Sequence, residues 1–232
     1  MKKHLPHVTL FGLDCLNIDR LIQAAEICQS GIEFGAVKLL TSLESNNPDV
    51  VKIPPIIRSI EDYSHFMVHS LNSYIETEYV LVIQYDGFIL NPSAWTDEYL
   101  KYDYIGAPWY DNGKFTVGNG GFSFRSKKLL EILQNDTSIA PIPRTEPEDT
   151  YICCDLRKYL ESKGIRFAPP ELASQFSLES NEMYWVEWTN QFGFHGLTWT
   201  DISNWLQAHP EYSIQNPLDE WAIGVKRMFK GV

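Results

Sequence analysis

Gln84-Tyr85-Asp86-Gly87 follows directly on the apolar run Tyr79-Val80-Leu81-Val82-Ile83. A carboxylate at the end of a buried strand stands where open α/β sheets build their ligand sites. In a chain of formal net charge -11, it reads better as a metal handle than as a direct partner for an anionic ligand. Gly87 would let a ligand approach the backbone closely. Gln84, two residues before Asp86, would face the same side and add an amide contact. Turn formation or helix capping is the competing explanation for an aspartate at this position.

Three further constellations could serve the same site. Gly118-Asn119-Gly120-Gly121 lacks the spacing of a dinucleotide or P-loop fingerprint; it is either a tight hairpin loop or the wall of a polar site. Glu146-Pro147-Glu148-Asp149 places carboxylates in a first helical turn, where they oppose the macrodipole; one of them could also take a hydroxyl proton as a general base. His195, within Phe192-Gly193-Phe194-His195-Gly196, has the access to meet a metal through one ring nitrogen, although a lone histidine is more often structural. His65 and His69 are four apart on a helix with no acidic residue of the metalloprotease kind between them. Trp95, Trp109, Tyr110, Trp185, Trp188 and Trp199 lie in the later two-thirds of the chain. Most of these read as core, and a few exposed ones would suit stacking on sugar faces.

Alternating elements must position these residues. Val8 to Gly12 reads as a first strand, Ile18 to Cys28 as a helix by its apolar spacing, and Ala36 to Leu40 as a second strand. Ser59-Ile60-Glu61-Asp62 has the pattern of a helix start, and Tyr63, Phe66, Met67, Ser70, Leu71, Tyr74 and Ile75 share one face after it. Strand, helix, strand, helix, strand over roughly the first 90 residues favours a parallel sheet covered by helices. Beyond that, Tyr104 to Ala107 reads as a strand, Trp109 to Gly113 as a loop and Phe122 to Arg125 as an alternating strand. Ser126 would cap a helix from Lys127 to Leu133. A helix from Thr150 to Lys163 stops at Gly164, a strand covers Ile165 to Ala168, and short helices cover Trp199 to Ala208 and Pro217 to Phe229. The expected fold class is α/β, a mostly parallel central sheet flanked by helices in a single domain over residues 1–232. Within it, about 1–90 form a ligand-binding half and about 91–232 an acceptor and catalytic half.

Bulk properties narrow the function. The 232 residues fit one substantial domain, and 44% hydrophobic content furnishes a core. The acidic balance argues against nucleic acid and anionic membrane surfaces. Met1-Lys2-Lys3 is followed by His4, Pro6 and His7 rather than an apolar core, and no run is long enough to cross a bilayer. The expected location is cytoplasmic. Cys15, Cys28, Cys153 and Cys154 show no metal-finger spacing and read as reduced thiols.

Taken together, the blocks resemble a GT-A-fold (Rossmann-like) glycosyltransferase, and more closely a bacterial and fungal GT-A-like group filed as a domain of unknown function. The resemblance rests on Val37-Lys38-Leu39-Leu40-Thr41, Ser59 to Ser64, Ile83 to Phe88, Tyr102 to Trp109, Val117 to Ser123, Pro147-Glu148-Asp149 and Phe192 to Gly196, in that order over most of the chain. It implies a nucleotide-sugar donor, a UDP-sugar first, and a glycan-type hydroxyl acceptor, as in polysaccharide biosynthesis. Asp86 resembles the surviving member of an Asp-x-Asp pair, with Gln84 in place of the first aspartate. With His195 it would hold Mn²⁺ or Mg²⁺. Glu148 and Asp149 resemble the acidic motif of inverting members, Asp149 being the first choice of base. The implied donor contacts are Thr9, Phe11, Asp14, Gln84, Tyr85, Asp86, Gly87, Gly120 and Gly121, and the implied acceptor contacts are Trp109 and Asn119. Two other classes compete: a sugar-binding module without catalysis, and a metal-dependent hydrolase.

Overall fold

Leu10 and Phe11 are neighbours in the chain and both fully buried, yet they join different hydrophobic clusters on opposite faces of one sheet. Side chains alternate across a strand, so a strand with both faces buried needs an unbroken apolar run. The computed structural model describes residues 2–111, 114–180 and 187–230. Its elements in chain order begin β1 (Lys3–Leu13), α1 (Ile18–Gly31), β2 (Ile32–Thr41), β3 (Val50–Lys52), α2 (Ile60–His69) and β4 (Tyr79–Ile83). Then come β5 (Tyr104–Ile105), β6 (Ala107–Asp111), β7 (Lys114–Gly118), β8 (Ser123–Ser126) and α3 (Lys127–Asn135). The rest comprises α4 (Glu148–Thr150), a π-helical turn (Tyr151–Asp155), α5 (Arg157–Ser162), α6 (Pro170–Phe176), β9 (Ser177–Leu178), β10 (Gly193–Phe194), α7 (Ser203–Ala208) and α8 (Glu220–Lys230).

The main sheet has the order β3-β2-β1-β4-β8-β5. β1, β2, β3 and β4 run parallel, and β8 is antiparallel to both β4 and β5. This is the expected mixed α/β architecture with a mostly parallel sheet. Its order also locates the binding crevice. β2 lies on one side of β1 and β4 on the other, so the chain reverses its winding between β1 and β4, and the crevice outside their carboxyl ends is where such sheets take ligands. Gly12 pairs with Ile83 in that register, which brings the exits of the two strands side by side.

Helix ends obey local chemistry. Asn17 accepts from the Asp19 amide at the start of α1, Ser59 from Asp62 before α2, and Ser126 from Leu129 before α3, each satisfying an orphan donor of the first turn. Gly164, at φ 78°, closes the turn after α5, a conformation that glycine adopts without penalty. Among the described residues no helix is long and apolar enough to cross a membrane.

The second half departs from expectation in several places. Trp109 and Tyr110 lie in β6, which pairs antiparallel with β7, rather than in a loop. Residues 112 and 113 of that expected loop lie outside the described residues. The single helix expected from Thr150 to Lys163 is broken by the π-helical turn, a feature common near functional sites. Ile165 to Ala168 contributes one bridge, between Phe167 and Tyr104, in place of a strand. The α2 face ends at His69 and continues as a 3₁₀ turn, Leu71–Tyr74. α6, β9 and β10 have no counterpart in the periodicity.

An aromatic cluster holds this irregular half to the sheet. Ring centroids of Phe122 and Phe176 are 5.1 Å apart, Phe176 and Phe192 5.6 Å, Trp95 and Phe192 5.4 Å, and Tyr99 and Phe176 5.2 Å. The Phe192 carbonyl also accepts from the Leu90 and Asn91 amides. Emptying this site leaves a cavity as well as lost burial. Phe192→Ala is expected to lower stability by about 3–5 kcal/mol, read as the shift in the urea unfolding midpoint. A change below about 1 kcal/mol would mean that the cluster does not bind the two halves together.

Candidate functional site

Beyond the carboxyl ends of β1 and β4 lies a cleft of about 470 Å³. The end and exit of β1 supply Leu13, Asp14 and Cys15; the exit of β4 supplies Gln84 and Tyr85; the approach to α2 supplies Ile57, Arg58 and Ser59. Gly120, Gly121, Glu148, Asp149 and His195 close the inner end. Residues more than a hundred positions apart therefore share one concavity, the arrangement expected of a ligand site.

The inner end is built on a buried charge pair. Arg125, fully buried on β8, donates through Nη2 to Glu148 Oε1 at 3.0 Å and to the Gly120 carbonyl at 3.4 Å. Its Nε donates to Ser123 Oγ at 3.0 Å. Burial raises the Glu148 pKa and Asp149 raises it further, while Arg125 opposes both. Glu148 is thus withdrawn from solvent as a buttress. Its neighbour Asp149 is partly exposed, and its oxygens accept from the Gly120 and Thr150 amides, each at 2.8 Å.

The glycine loop is shaped from within. Asn119 takes φ 68°, and its Oδ1 accepts from the Gly121 amide at 2.9 Å. Asn119 is 1% exposed, so it forms the loop and is not available as an acceptor contact. A Cβ at Gly120 would lie 2.0 Å from Glu148 Oε1, and one at Gly121 would lie 2.1 Å from His195 Nε2. Absence of a side chain is what lets this backbone reach the carboxylate and the imidazole.

His195 is held on both ring nitrogens. Nδ1 is 3.1 Å from Glu179 Oε1, and Nε2 is 3.2 Å from Gln84 Oε1 and 4.0 Å from Asp86 Oδ1. Burial lowers the imidazole pKa, but the hydrogen bond and charge of Glu179, with Asp86 and Asp149, outweigh it and raise the net value. Gln84 Nε2 in turn donates to the hydroxyl of the half-buried Tyr63 at 3.0 Å. Burial raises the Tyr63 pKa, and Glu148 adds to the rise.

Asp86 sits one layer behind the cleft wall instead of on it. Its backbone carbonyl accepts from the Gly196 amide at 2.7 Å, and its Oδ1 is buried without a hydrogen-bond partner. That orphaned oxygen, the Gln84 amide oxygen and His195 Nε2 form an oxygen-and-imidazole donor set, which suits Mn²⁺ or Mg²⁺. Among the described residues no three His, Cys, Asp or Glu side chains converge as a metal site; Gln84 would be the third donor. Gly87 makes room for protein, since a Cβ there would lie 3.0 Å from the His195 ring and 3.1 Å from the Gly121 carbonyl.

The other expected contacts divide. Thr9 and Phe11 are fully buried in the sheet, with Thr9 Oγ1 bonded to Thr77 Oγ1 at 2.7 Å, so neither reaches the cleft. Asp14 does line it, but its carboxylate accepts from the Leu16 and Asn17 amides and from Arg20 Nε at 2.6 Å. The Arg20 guanidinium lies 3.7 Å over the Tyr85 ring, a cation–π contact that makes a flat lip at the outer end. Trp109 lies in the wall behind His195, donating to Glu179 Oε2 at 3.3 Å. Trp95 and Trp188 are core or packed against it, and Trp185 lies outside the described residues. Periodicity put Tyr63 on a helix face and gave no site role to Arg20, Tyr63, Arg125 or Glu179. Arg125 shares the polar side of its alternating strand with Ser123, so its burial carried no signal in the pattern.

Contact between loop and ring is directly testable. Gly121→Ala is expected to destabilise by roughly 1–3 kcal/mol through overpacking against the imidazole. Adding His195→Ala removes the obstacle, so the double variant should lose less than the sum of the single losses. Strict additivity in thermal unfolding would show that the two do not touch.

Comparisons with known proteins complete the description. No curated protein sequence matches the chain. Among solved structures, a mannosyltransferase from Pyrobaculum calidifontis in complex with GDP-Man and Mn²⁺ aligns at 11% identity and TM-score 0.46, covering 72% of this chain. This chain spans 57% of that protein's length. A second structure, A197 from STIV, aligns at 14% identity and TM-score 0.35, covering 62% of this chain and 75% of that one. A family model described as "Protein of unknown function (DUF5672)" matches residues 49–195. That match takes in β4, the glycine loop, the acidic turn and His195, and by it the chain belongs to the DUF5672 family.

Proposed function

We propose that this protein is a GT-A-type glycosyltransferase that passes a sugar from a nucleotide-sugar, a UDP-sugar first, to a glycan-type hydroxyl with inversion. The observation that carries the reading is the convergence of Asp149, the Gly120-Gly121 backbone, Gln84 and His195 on one cleft at the sheet's switch point. The outer lip of Leu13, Leu16, Tyr85 and Arg20 suits a flat nucleobase, and the inner glycine backbone suits a sugar hydroxyl. Asp149 takes the proton of the acceptor hydroxyl as that oxygen attacks the anomeric carbon. The bond from that carbon to the diphosphate oxygen breaks, and its electron pair leaves with the diphosphate. The two backbone amides on Asp149 fix the carboxylate in place and leave lone pairs for the incoming proton. Asp86, His195 and Gln84 would hold a divalent cation, whose chemistry when bound is to offset the charge developing on the diphosphate. Glu148 and Arg125 keep the base and the glycine loop in register.

One observation favours a second reading, a nucleotide-sugar-binding module that works without metal. Both ring nitrogens of His195 already face oxygens, on Glu179 and Gln84. Thermal unfolding with UDP, GDP and their sugar conjugates, each with Mn²⁺ or with EDTA, discriminates the two. Binding at a hundred times Kd stabilises by about 2.7 kcal/mol. The transferase reading expects a shift for one nucleotide that depends on Mn²⁺, with turnover of the matching sugar. An EDTA-insensitive shift without turnover selects the module, and no shift with any nucleotide defeats both. Asp149→Asn is expected to lower turnover by about 10²–10⁴-fold while the nucleotide-induced shift persists. Unchanged turnover removes Asp149 as the base.

A further inference from the structure

Glu179 directly follows β9, far from every motif, and its side chain is only 15% exposed. Three nitrogen donors from two separate segments, β6 and the 195–199 stretch, meet on its carboxylate. Oε1 accepts from His195 Nδ1 at 3.1 Å and from Trp199 Nε1 at 3.3 Å, and Oε2 accepts from Trp109 Nε1 at 3.3 Å. Indole nitrogens can only donate and an ionised carboxylate can only accept, so the direction of these bonds is not negotiable. The Gln84 amide oxygen facing Nε2 also can only accept, so the two oxygens compete for the single proton of the neutral ring. The charged carboxylate, the stronger acceptor, draws it to Nδ1 and leaves Nε2 turned towards Gln84, Asp86 and Gly121.

We propose that Glu179 is the positioning residue of the cleft: it fixes the tautomer and orientation of His195 and ties the β6–β7 hairpin and the 196–199 turn to that ring. Each tie has a second anchor. The Trp109 indole fills the space over Gly118, where a Cβ would lie 2.1 Å from it, and the Trp199 indole does the same over Gly196. Trp199 also meets the His195 ring at 5.5 Å in an edge-on arrangement, and the His195 amide donates to the Leu178 carbonyl at 3.0 Å. Gly118 leads into the Asn119–Gly121 loop, so one carboxylate coordinates the imidazole with the approach to the glycine loop. Outer-shell carboxylates that hold a working histidine act in this way. The proposal rests on the transferase reading only for the use made of Nε2.

The test is nitrogen-15 NMR of the imidazoles at alkaline pH, where the ring is neutral, with the His195 signal assigned by its loss in His195→Gln. Wild-type protein should show His195 protonated on Nδ1. In Glu179→Leu that signal should give way to the Nε2-protonated form, and tryptophan emission should shift to the blue as two indoles exchange a charged acceptor for an apolar neighbour. Glu179→Gln, which keeps the shape and one acceptor oxygen, should change at least one of the two spectra, and it decides the matter alone if the leucine variant does not fold. An Nδ1-protonated His195 with unchanged emission in the folded variants overturns the assignment. If the spectra change as expected while wild-type protein binds neither UDP nor GDP, the transferase reading falls and the role of Glu179 stands.

Discussion

Everything at the inner end of the cleft depends on the ion pair between Arg125 and Glu148, both shut away from water. Two charges in such a place survive only when each is satisfied by the other and by further hydrogen bonds, and removing one partner strands the other at about 3–5 kcal/mol. Arg125 meets most of that condition through Nη2 to Glu148 and the Gly120 carbonyl and through Nε to Ser123, while its Nη1 is buried without a hydrogen-bond partner. One guanidinium thereby joins a central strand, the glycine loop and the turn that carries Asp149. Its value lies less in net stability, which an apolar pair could match, than in the placement it enforces.

Placement then propagates by steric exclusion. Gly120 lies against Glu148 and Gly121 against His195, at distances no side chain could share. A backbone this close can offer its amides to a carboxylate, as Gly120 does to Asp149, without water between them. His195 is held from the far side by Glu179 and from the near side by Gln84, so the ring is clamped between a charged and a neutral acceptor.

The cleft is acidic in an acidic protein. Asp14, Glu148 and Asp149 line it, with Arg20 and Arg58 as the facing arginines. Arg20 is engaged by Asp14 and stacked on Tyr85. An anionic ligand entering here has Arg58, backbone amides, a clamped imidazole or a bridging cation to meet, because direct carboxylate contact is repulsive.

The α/β class, the parallel first half and the strand-end position of Gln84 to Gly87 are legible in the residues alone, because period-two and helical spacings are local. Helix starts at Ser59 and Ser126 were legible for the same reason: a capping hydroxyl acts on an amide three residues away. Tertiary structure decided the rest. It withdrew Thr9 and Phe11 into the core, made Asn119 a loop former, and set Asp86 behind the wall. It also brought Glu179, Arg125 and Tyr63 to a site that no spacing connects. Short strands such as β9 and β10 are formed by pairing across the chain. Local preference cannot foresee a partner far away in the chain, so the roles of these residues were settled by burial and by which donors the fold brought within reach.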